Sequence, residues 1–342
     1  MRREKNASLL RHNTFGIDVR CTEFIEYESV EELRSLLAPP PHSEGLRNIL
    51  HIGAGSNLLF CGNYDGSVLH SRIRSVERVG ESDEEVWLRA GGGIAFDDLI
   101  AHCLGQGLHG MENLSHIPGE VGASAVQNIG AYGAEAKDFI LRVEGVWLAS
   151  GETFSMENEA CEYAYRQSIF KQALKGKAAI THVTFRLSKT FRPRLEYGGI
   201  RQALEERGFS EGSLTAAQLR QTIIGIREEK LPDPAVLGNA GSFFMNPVVS
   251  KELFLQIQAH YPEAPHYATG DGRVKVPAAW LIEQSGWKGR AMGRAAVHDR
   301  QPLVLVNTGD ATGRDILNLC EAVRRSVDER FGISLQPEVN II

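Results

Sequence analysis

The stretch from Ile117 to Gly133, Ile-Pro-Gly-Glu-Val-Gly-Ala-Ser-Ala-Val-Gln-Asn-Ile-Gly-Ala-Tyr-Gly, constrains this chain more than any other. Its four glycines (Gly119, Gly122, Gly130, Gly133) alternate with small residues, so little side chain separates the main chain from anything laid against it. Successive exposed N–H groups of this kind form concavities suited to phosphate. Gln127 and Asn128 add amides of the type that read the edge of a heteroaromatic ring such as a flavin. The alternative is an ordinary glycine-rich connector, but a loop so poor in charge generally has a main-chain task.

A chain of 342 residues exceeds what one core serves, so two or three domains are expected. Hydrophobic residues at 42% and charged residues at 23% suffice for globular cores. The net charge of −6 argues against a broad nucleic-acid or anionic-membrane surface, so an anionic ligand must meet a local positive site. No apolar run approaches the ~18 residues of a membrane span, and the basic opening lacks the apolar core of a secretory signal. A cytoplasmic protein without membrane insertion is expected. Five scattered cysteines, never paired as Cys-x-x-Cys, indicate neither a disulfide framework nor a metal site.

Along the chain, Ser29 and Glu32 form a capping-box pair before Leu33, Leu36 and Leu37, and Pro39-Pro40-Pro41 should end that helix. Ile49, Leu50 and Ile52 predict a short strand that breaks into Gly53-Ala-Gly-Ser-Asn57 and resumes at Leu58. That leucine spoils a Gly-x-Gly-x-x-Gly dinucleotide fingerprint, and no Gly-Lys-Ser/Thr exists for a P-loop. After a strand over 86–90, Gly91-Gly-Gly93 leads into a helix bearing Phe96, Leu99, Ile100, Cys103 and Leu104. Strands follow at 141–149 and 180–187, the second with Val183, Phe185 and Leu187 on one face, in a sheet expected to be mixed. Beyond residue 200, caps at Thr215, Ser250, Pro277 and Thr312 predict four helices, the last ending at Gly332. The tail 334–342 reads as a strand returning to an earlier domain.

Three polar islands remain. Arg166 lies among Tyr163, Tyr165, Ile169 and Phe170, and a buried arginine there needs either an anionic ligand or a structural carboxylate. Ser242 stands between Gly241 and Phe243-Phe244 without a Gly-x-Ser-x-Gly elbow, which argues against a hydrolase triad. Glu338 sits in the tail beside the apolar Val339, Ile341 and Ile342, where a solvated face is the ordinary alternative.

Taken in order, Asn13-Thr-Phe-Gly16, Gly53-x-Gly-Ser-Asn57, Ile117-Pro-Gly through Gly133, Tyr165-Arg-x-Ser-Ile-Phe-Lys171, Lys230-Leu-Pro-Asp-Pro234, Gly238-Asn-Ala-Gly-Ser-Phe-Phe244 and Pro337-Glu-Val339 resemble the UDP-N-acetylenolpyruvoylglucosamine reductase family over almost the whole chain. Tyr197 in Leu-Glu-Tyr-Gly-Gly is similar to the type I subgroup. The resemblance implies an α+β, vanillyl-alcohol-oxidase-like (PCMH-type) fold. Its parts would be FAD subdomain 1 over 1–70 joined by the strand 333–342, FAD subdomain 2 over 71–208, and an α+β substrate domain over 209–332. It also implies non-covalent FAD, NADPH as reductant, a UDP-sugar substrate and a monomer acting in peptidoglycan precursor synthesis.

By the same resemblance Arg166, Ser242 and Glu338 are catalytic, with hydride passing from reduced FAD to the vinyl carbon and a proton from Ser242. The cofactor would be held by Gly53, Gly55, Ser56, Asn57, Ile117, Pro118, Gly119, Gly122, Ala123, Ser124, Gln127, Asn128, Gly130, Ala131, Tyr132 and Gly133. Substrate would meet Tyr197, Lys230, Asn246 and Gln301. Met245 and Asn340 depart from the Lys and Arg that relatives often carry there, which bears on local charge. A nucleotide-sugar sensor that kept the fold, and an alcohol or sugar oxidase of the same superfamily, are the competing expectations. The joint presence of Arg166, Ser242 and Glu338 weighs against the first, and the Lys230 and Gly238 segments against the second.

Overall fold

The computed structural model describes residues 1–38, 45–197 and 199–342. The expected helix stop at Pro39-Pro40-Pro41, and Gly198 beside Tyr197, lie outside the described residues. The chain divides into two compact units: 1–7, 21–54 and 65–227 form one, and 8–20, 55–64 and 228–342 form the other.

The first unit contains two sheets. One has the order Arg2–Ser8, Arg20–Tyr27, Tyr64–Ser71, Leu50–Ile52, with the last two parallel (Leu50 opposite Val68, Ile52 opposite His70). Helix Val30–Leu37 turns Leu33 and Leu36 onto Ile25, Tyr27, Leu69 and Ile73. The Ser29 hydroxyl caps it by accepting from the Glu32 N–H at 3.1 Å. Glu32 reaches back to the N–H of Glu28 rather than that of Ser29, so only half of the expected capping box forms.

The second sheet is antiparallel in all of its pairings, in the order Thr153–Glu157, Ile140–Trp147, Ala178–Ser188, Glu85–Gly91, Val76–Glu81. Helices Phe96–Gly105 and Val121–Gln127 pack their apolar stripes on it through Phe96, Leu99, Ile100, Val121 and Ala125. The central strand Ala178–Ser188 is buried from Ala179 through Phe185, not on one face alone. Its second face carries Thr181, His182 and Thr184, and Thr181 satisfies its hydroxyl on the carbonyl of Glu144. A third packing layer joins helix Ala216–Lys230 to Ile200 and Leu204 through Leu219, Ile223 and Ile226. The cap expected at Thr215 forms as a full capping box, with Thr215 and Gln218 each capping the other's main-chain N–H.

The second unit is built on an antiparallel sheet in the order Asn239–Ser242, Val304–Asn307, Ala295–Val297, Ala291–Met292. Helix Gly313–Phe331 covers it, burying Ile316, Leu319, Val323 and Val327. Thr312 and Asp315 form the full capping box, and Gly332 closes the far end at φ 65°. The chain's tail adds only Asn340–Ile341 as strand, parallel to Leu58–Leu59. No described helix is long and apolar enough to cross a membrane.

Candidate functional site

In the first unit the glycine-rich stretch folds into a seven-residue helix, Val121–Gln127, and a two-stranded hairpin, Gly130–Ala131 with Ala134–Glu135. The hairpin turns through Tyr132 at φ 48° and Gly133 at φ 79°, the backbone of a type I′ connection. The helix start departs from the sequence reading. The N–H of Val121 donates to Ile94 O at 2.9 Å and that of Gly122 to Gly92 O at 3.0 Å, so these amides dock the helix on its sheet rather than face a phosphate. Ser124 is likewise turned inward, with its hydroxyl on Val121 O at 2.7 Å.

Asn128 is a further correction. It lies at φ 47° with no exposure, and its amide donates to Glu135 Oε2 and to Ala164 O while accepting from the Lys137 N–H. A side chain so engaged reads no ring edge. It anchors the turn that presents Arg166.

That turn closes between Ala164 and Gln167 with main-chain bonds of 3.0 and 3.1 Å. Ser168 bolts it to the glycine stretch through Val126 O at 2.6 Å, and the Arg166 guanidinium donates to Gly130 O at 2.8 Å. Arg166 adopts φ 56°, a conformation that costs a non-glycine residue about 1–3 kcal/mol and persists only where surroundings enforce it. It is half-buried, not buried as its neighbours in sequence suggested, and its guanidinium stacks near the ring of Tyr165.

Arg227, absent from the sequence-based set, belongs with it. Its Nε donates to His116 O at 3.0 Å and its guanidinium meets the Tyr132 hydroxyl. Burial pushes the Arg227 guanidinium below its ordinary range, and the neighbouring charge of Arg166 adds to the push. Asp97 is committed elsewhere, accepting both arms of Arg220 at 2.8 and 2.9 Å and the His116 N–H at 2.6 Å. Burial opposes its ionisation, yet those bonds prevail and hold its carboxyl below the usual range. Tyr197 stands edge-on to Tyr132 and is half exposed. Gly53 faces Glu120, whose carboxylate is held by His70 Nε2 at 2.9 Å.

In the second unit, Gly55 is glycine for the chain's own sake: at φ 72°, any Cβ would strike the His12 carbonyl. Thr14 links this loop to the strand bearing Ser242, donating its N–H to Gly55 O and accepting from the Asn239 N–H. The Thr14 hydroxyl is buried with no hydrogen-bond partner among the described residues. Ser242 ends strand Asn239–Ser242 after a bulge at Gly241, φ 68°, that gives this strand one residue more than its partner. Phe243 then donates to Leu303 O, while its own carbonyl accepts from the Glu338 N–H at 2.8 Å. Phe244 bridges Pro337, and the Met245 N–H donates to Gln336 O. Gln336 to Glu338 therefore run antiparallel to Phe243 to Met245, and Glu338 lies on the segment that pairs just after the strand of Ser242.

Asn57 Nδ2 donates to Glu338 O, and Asn340 donates its N–H and its side-chain amide to Asn57 O. The asparagine at 340 thus has a definite local bond. Asn246 Oδ1 accepts the Ala278 N–H, which leaves its NH2 as the part free for a ligand role. Gln301 lies in the loop before strand Val304–Asn307, and Lys230 is exposed at the end of its helix.

The donor sets suit FAD: two guanidiniums in the first unit, Arg166 repelling Arg227, fit an anionic group, and the buried Thr14 hydroxyl in the second fits a polar ligand atom. Comparison with known proteins agrees. Residues 24–157 match the model of an FAD binding domain, and residues 233–342 match that of the UDP-N-acetylenolpyruvoylglucosamine reductase C-terminal domain. A UDP-N-acetylenolpyruvoylglucosamine reductase of Bacteroides fragilis is 52% identical over 99% of this chain and 100% of its own. One from Burkholderia pseudomallei is 44% identical, covering 97% and 95%. In fold, the chain is similar to the crystal structure of the reductase from Thermus caldophilus, with a TM-score of 0.67 at 22% identity, covering 99% of this chain and 98% of that one. The matched domains and relatives define an FAD-dependent oxidoreductase with an α+β architecture. More narrowly, the chain belongs to the UDP-N-acetylenolpyruvoylglucosamine reductase family.

Proposed function

We propose that this protein reduces the enolpyruvyl group of UDP-N-acetylglucosamine enolpyruvate to give UDP-N-acetylmuramate for peptidoglycan, with NADPH as electron source. The observation that carries this reading, in a chain of this family, is the main-chain pairing that sets Glu338 beside the strand of Ser242. FAD, when bound, supplies the hydride carrier between nicotinamide and enol ether. The Gly53–Asn57 loop and the Ile117–Gly133 stretch hold it, with Arg227 and Thr14 added to the residues expected from sequence.

Arg166 faces the charge that develops in the substrate carboxylate, where a preorganised fork contributes on the order of 3 kcal/mol. Ser242 gives its proton to the carbon next to that carboxylate. A hydroxyl suffices there because the enolate is a strong base, so placement matters more than acidity. Glu338 orients the group or water beside it. Tyr197 and Lys230 contact the nucleotide diphosphate, and Gln301 and the Asn246 NH2 complete the substrate-binding set. The three-part division at 70, 208 and 332, a cytoplasmic location and a monomeric state complete the proposal.

The test is anaerobic spectroscopy of the purified holoprotein. NADPH should bleach the flavin absorbance, and UDP-N-acetylglucosamine enolpyruvate should restore it. Restoration by oxygen but not by the sugar nucleotide would overturn the assignment.

A further inference from the structure

The loop that carries Gln301 is built around an imidazole that the proposed chemistry does not use. His298 is 7% exposed and follows strand Ala295–Val297. Its Nδ1 accepts two main-chain N–H groups, from Gln301 at 3.2 Å and from Arg300 at 3.4 Å. The main chain closes the same loop: His298 N–H donates to Val304 O, and Val304 N–H to Gln301 O. The loop then delivers Leu303 O to the N–H of Phe243, and Val304 pairs with Ser242.

A ring nitrogen that accepts two N–H groups must be unprotonated, so the single N–H of the neutral imidazole resides on Nε2, toward Asp299 Oδ1 at 3.5 Å. Protonating Nδ1 would set a donor against two donors, in a place with little access to water.

We infer that His298 is a positioning residue: as neutral imidazole it fixes the loop that presents Gln301 to the sugar nucleotide and buttresses the strand of Ser242. This rests on the assignment of Gln301 as a substrate-binding residue. Among the described residues the charged groups that act on the ring are Asp299 and Arg300, both from its own loop. Burial pushes the His298 imidazole below its ordinary range, Arg300 adds to this, and Asp299 opposes it. The sign follows: the unfolded chain takes up the proton first, so the loop is intact above about pH 6.5 and loses stability as pH falls from there.

The experiment measures KM for UDP-N-acetylglucosamine enolpyruvate and the rate of flavin bleaching by NADPH, across about pH 5 to 8, in native holoenzyme, His298→Asn, His298→Leu and Gln301→Ala. Asparagine offers an acceptor near the Nδ1 position but does not titrate. His298→Leu should raise KM about tenfold at every pH with bleaching unchanged, as expected for two lost hydrogen bonds. Native enzyme should show KM rising as pH falls below about 6.5, and His298→Asn should restore most of the affinity while abolishing that rise. Native KM in His298→Leu, or an acid rise that persists in His298→Asn, overturns the inference. If the leucine variant does not fold, the asparagine variant and the native pH profile decide. A raised KM in Gln301→Ala beside a native one in His298→Leu removes the inference alone. A native KM in Gln301→Ala removes the underlying assignment, and the inference with it.

Discussion

Arg166 is mounted on side chains, whereas Ser242 and Glu338 are mounted on main chain. The Arg166 turn hangs from Asn128 and Ser168, its own guanidinium adds a bond to the same glycine-rich stretch, and Lys171 Nζ donates to Arg166 O at 3.3 Å. The second pair stands on a ladder of N–H and C=O groups linking Phe243 and Met245 to Glu338 and Gln336. A ladder of that kind survives most changes of side chain. A turn held at positive φ by polar side chains does not, because strain is released once the bolts are drawn.

The largest effect is expected from Asn128→Ala. It strips a fully buried site of three hydrogen bonds and leaves the Lys137 N–H without its acceptor, a loss of about 3 kcal/mol in unfolding free energy. Displacement of Arg166 should also slow flavin reoxidation by the sugar nucleotide roughly a hundredfold, the scale of a 1 Å misplacement. Denaturant melts and stopped-flow absorbance check both, and an unchanged reoxidation rate would show that the turn does not depend on Asn128.

Ser168→Ala removes one bond of 2.6 Å and keeps the rest. A loss of about 1 kcal/mol and a several-fold slower reoxidation are expected, with NADPH-driven bleaching near native.

Against these stands Met245→Lys, which places there the lysine that the family resemblance leads one to expect. Only the Met245 main-chain N–H is in the ladder, so stability should move by less than about 0.5 kcal/mol. A shift of several times that size would mean that side chains at this edge matter as much as they do around Arg166.

The same contrast explains what could be read in the sequence. Caps and stops were legible because their chemistry is local: Thr312 and Asp315 lie three residues apart, and Gly332 needs only its own φ. The glycine stretch was legible as a main-chain device. Its internal uses were not, since the carbonyls of Gly92 and Ile94 that take its amides lie in another segment. Asn128 looked like a ligand-reading amide because polar residues in glycine loops are generally exposed, and burial alone reveals its other role. Arg227 sits in Ile-Arg-Glu-Glu-Lys, which reads as a solvated run. Its position four residues after Ile223, at the margin of the buried face, was the available signal. Its partner, the carbonyl of His116, is 111 positions away. The role of His298 is hidden in the sequence for a related reason: the N–H groups its Nδ1 accepts are backbone groups that only the folded loop brings together.

The account's central claim is that Ser242, set beside Glu338, serves the substrate step and not the nicotinamide step. Stopped-flow absorbance of Ser242→Ala tests it most directly. Flavin should bleach with NADPH at nearly the native rate, and reoxidation by UDP-N-acetylglucosamine enolpyruvate should fall by at least about a hundredfold. Near-native reoxidation in this variant, or equal loss in both half-reactions, would contradict the claim.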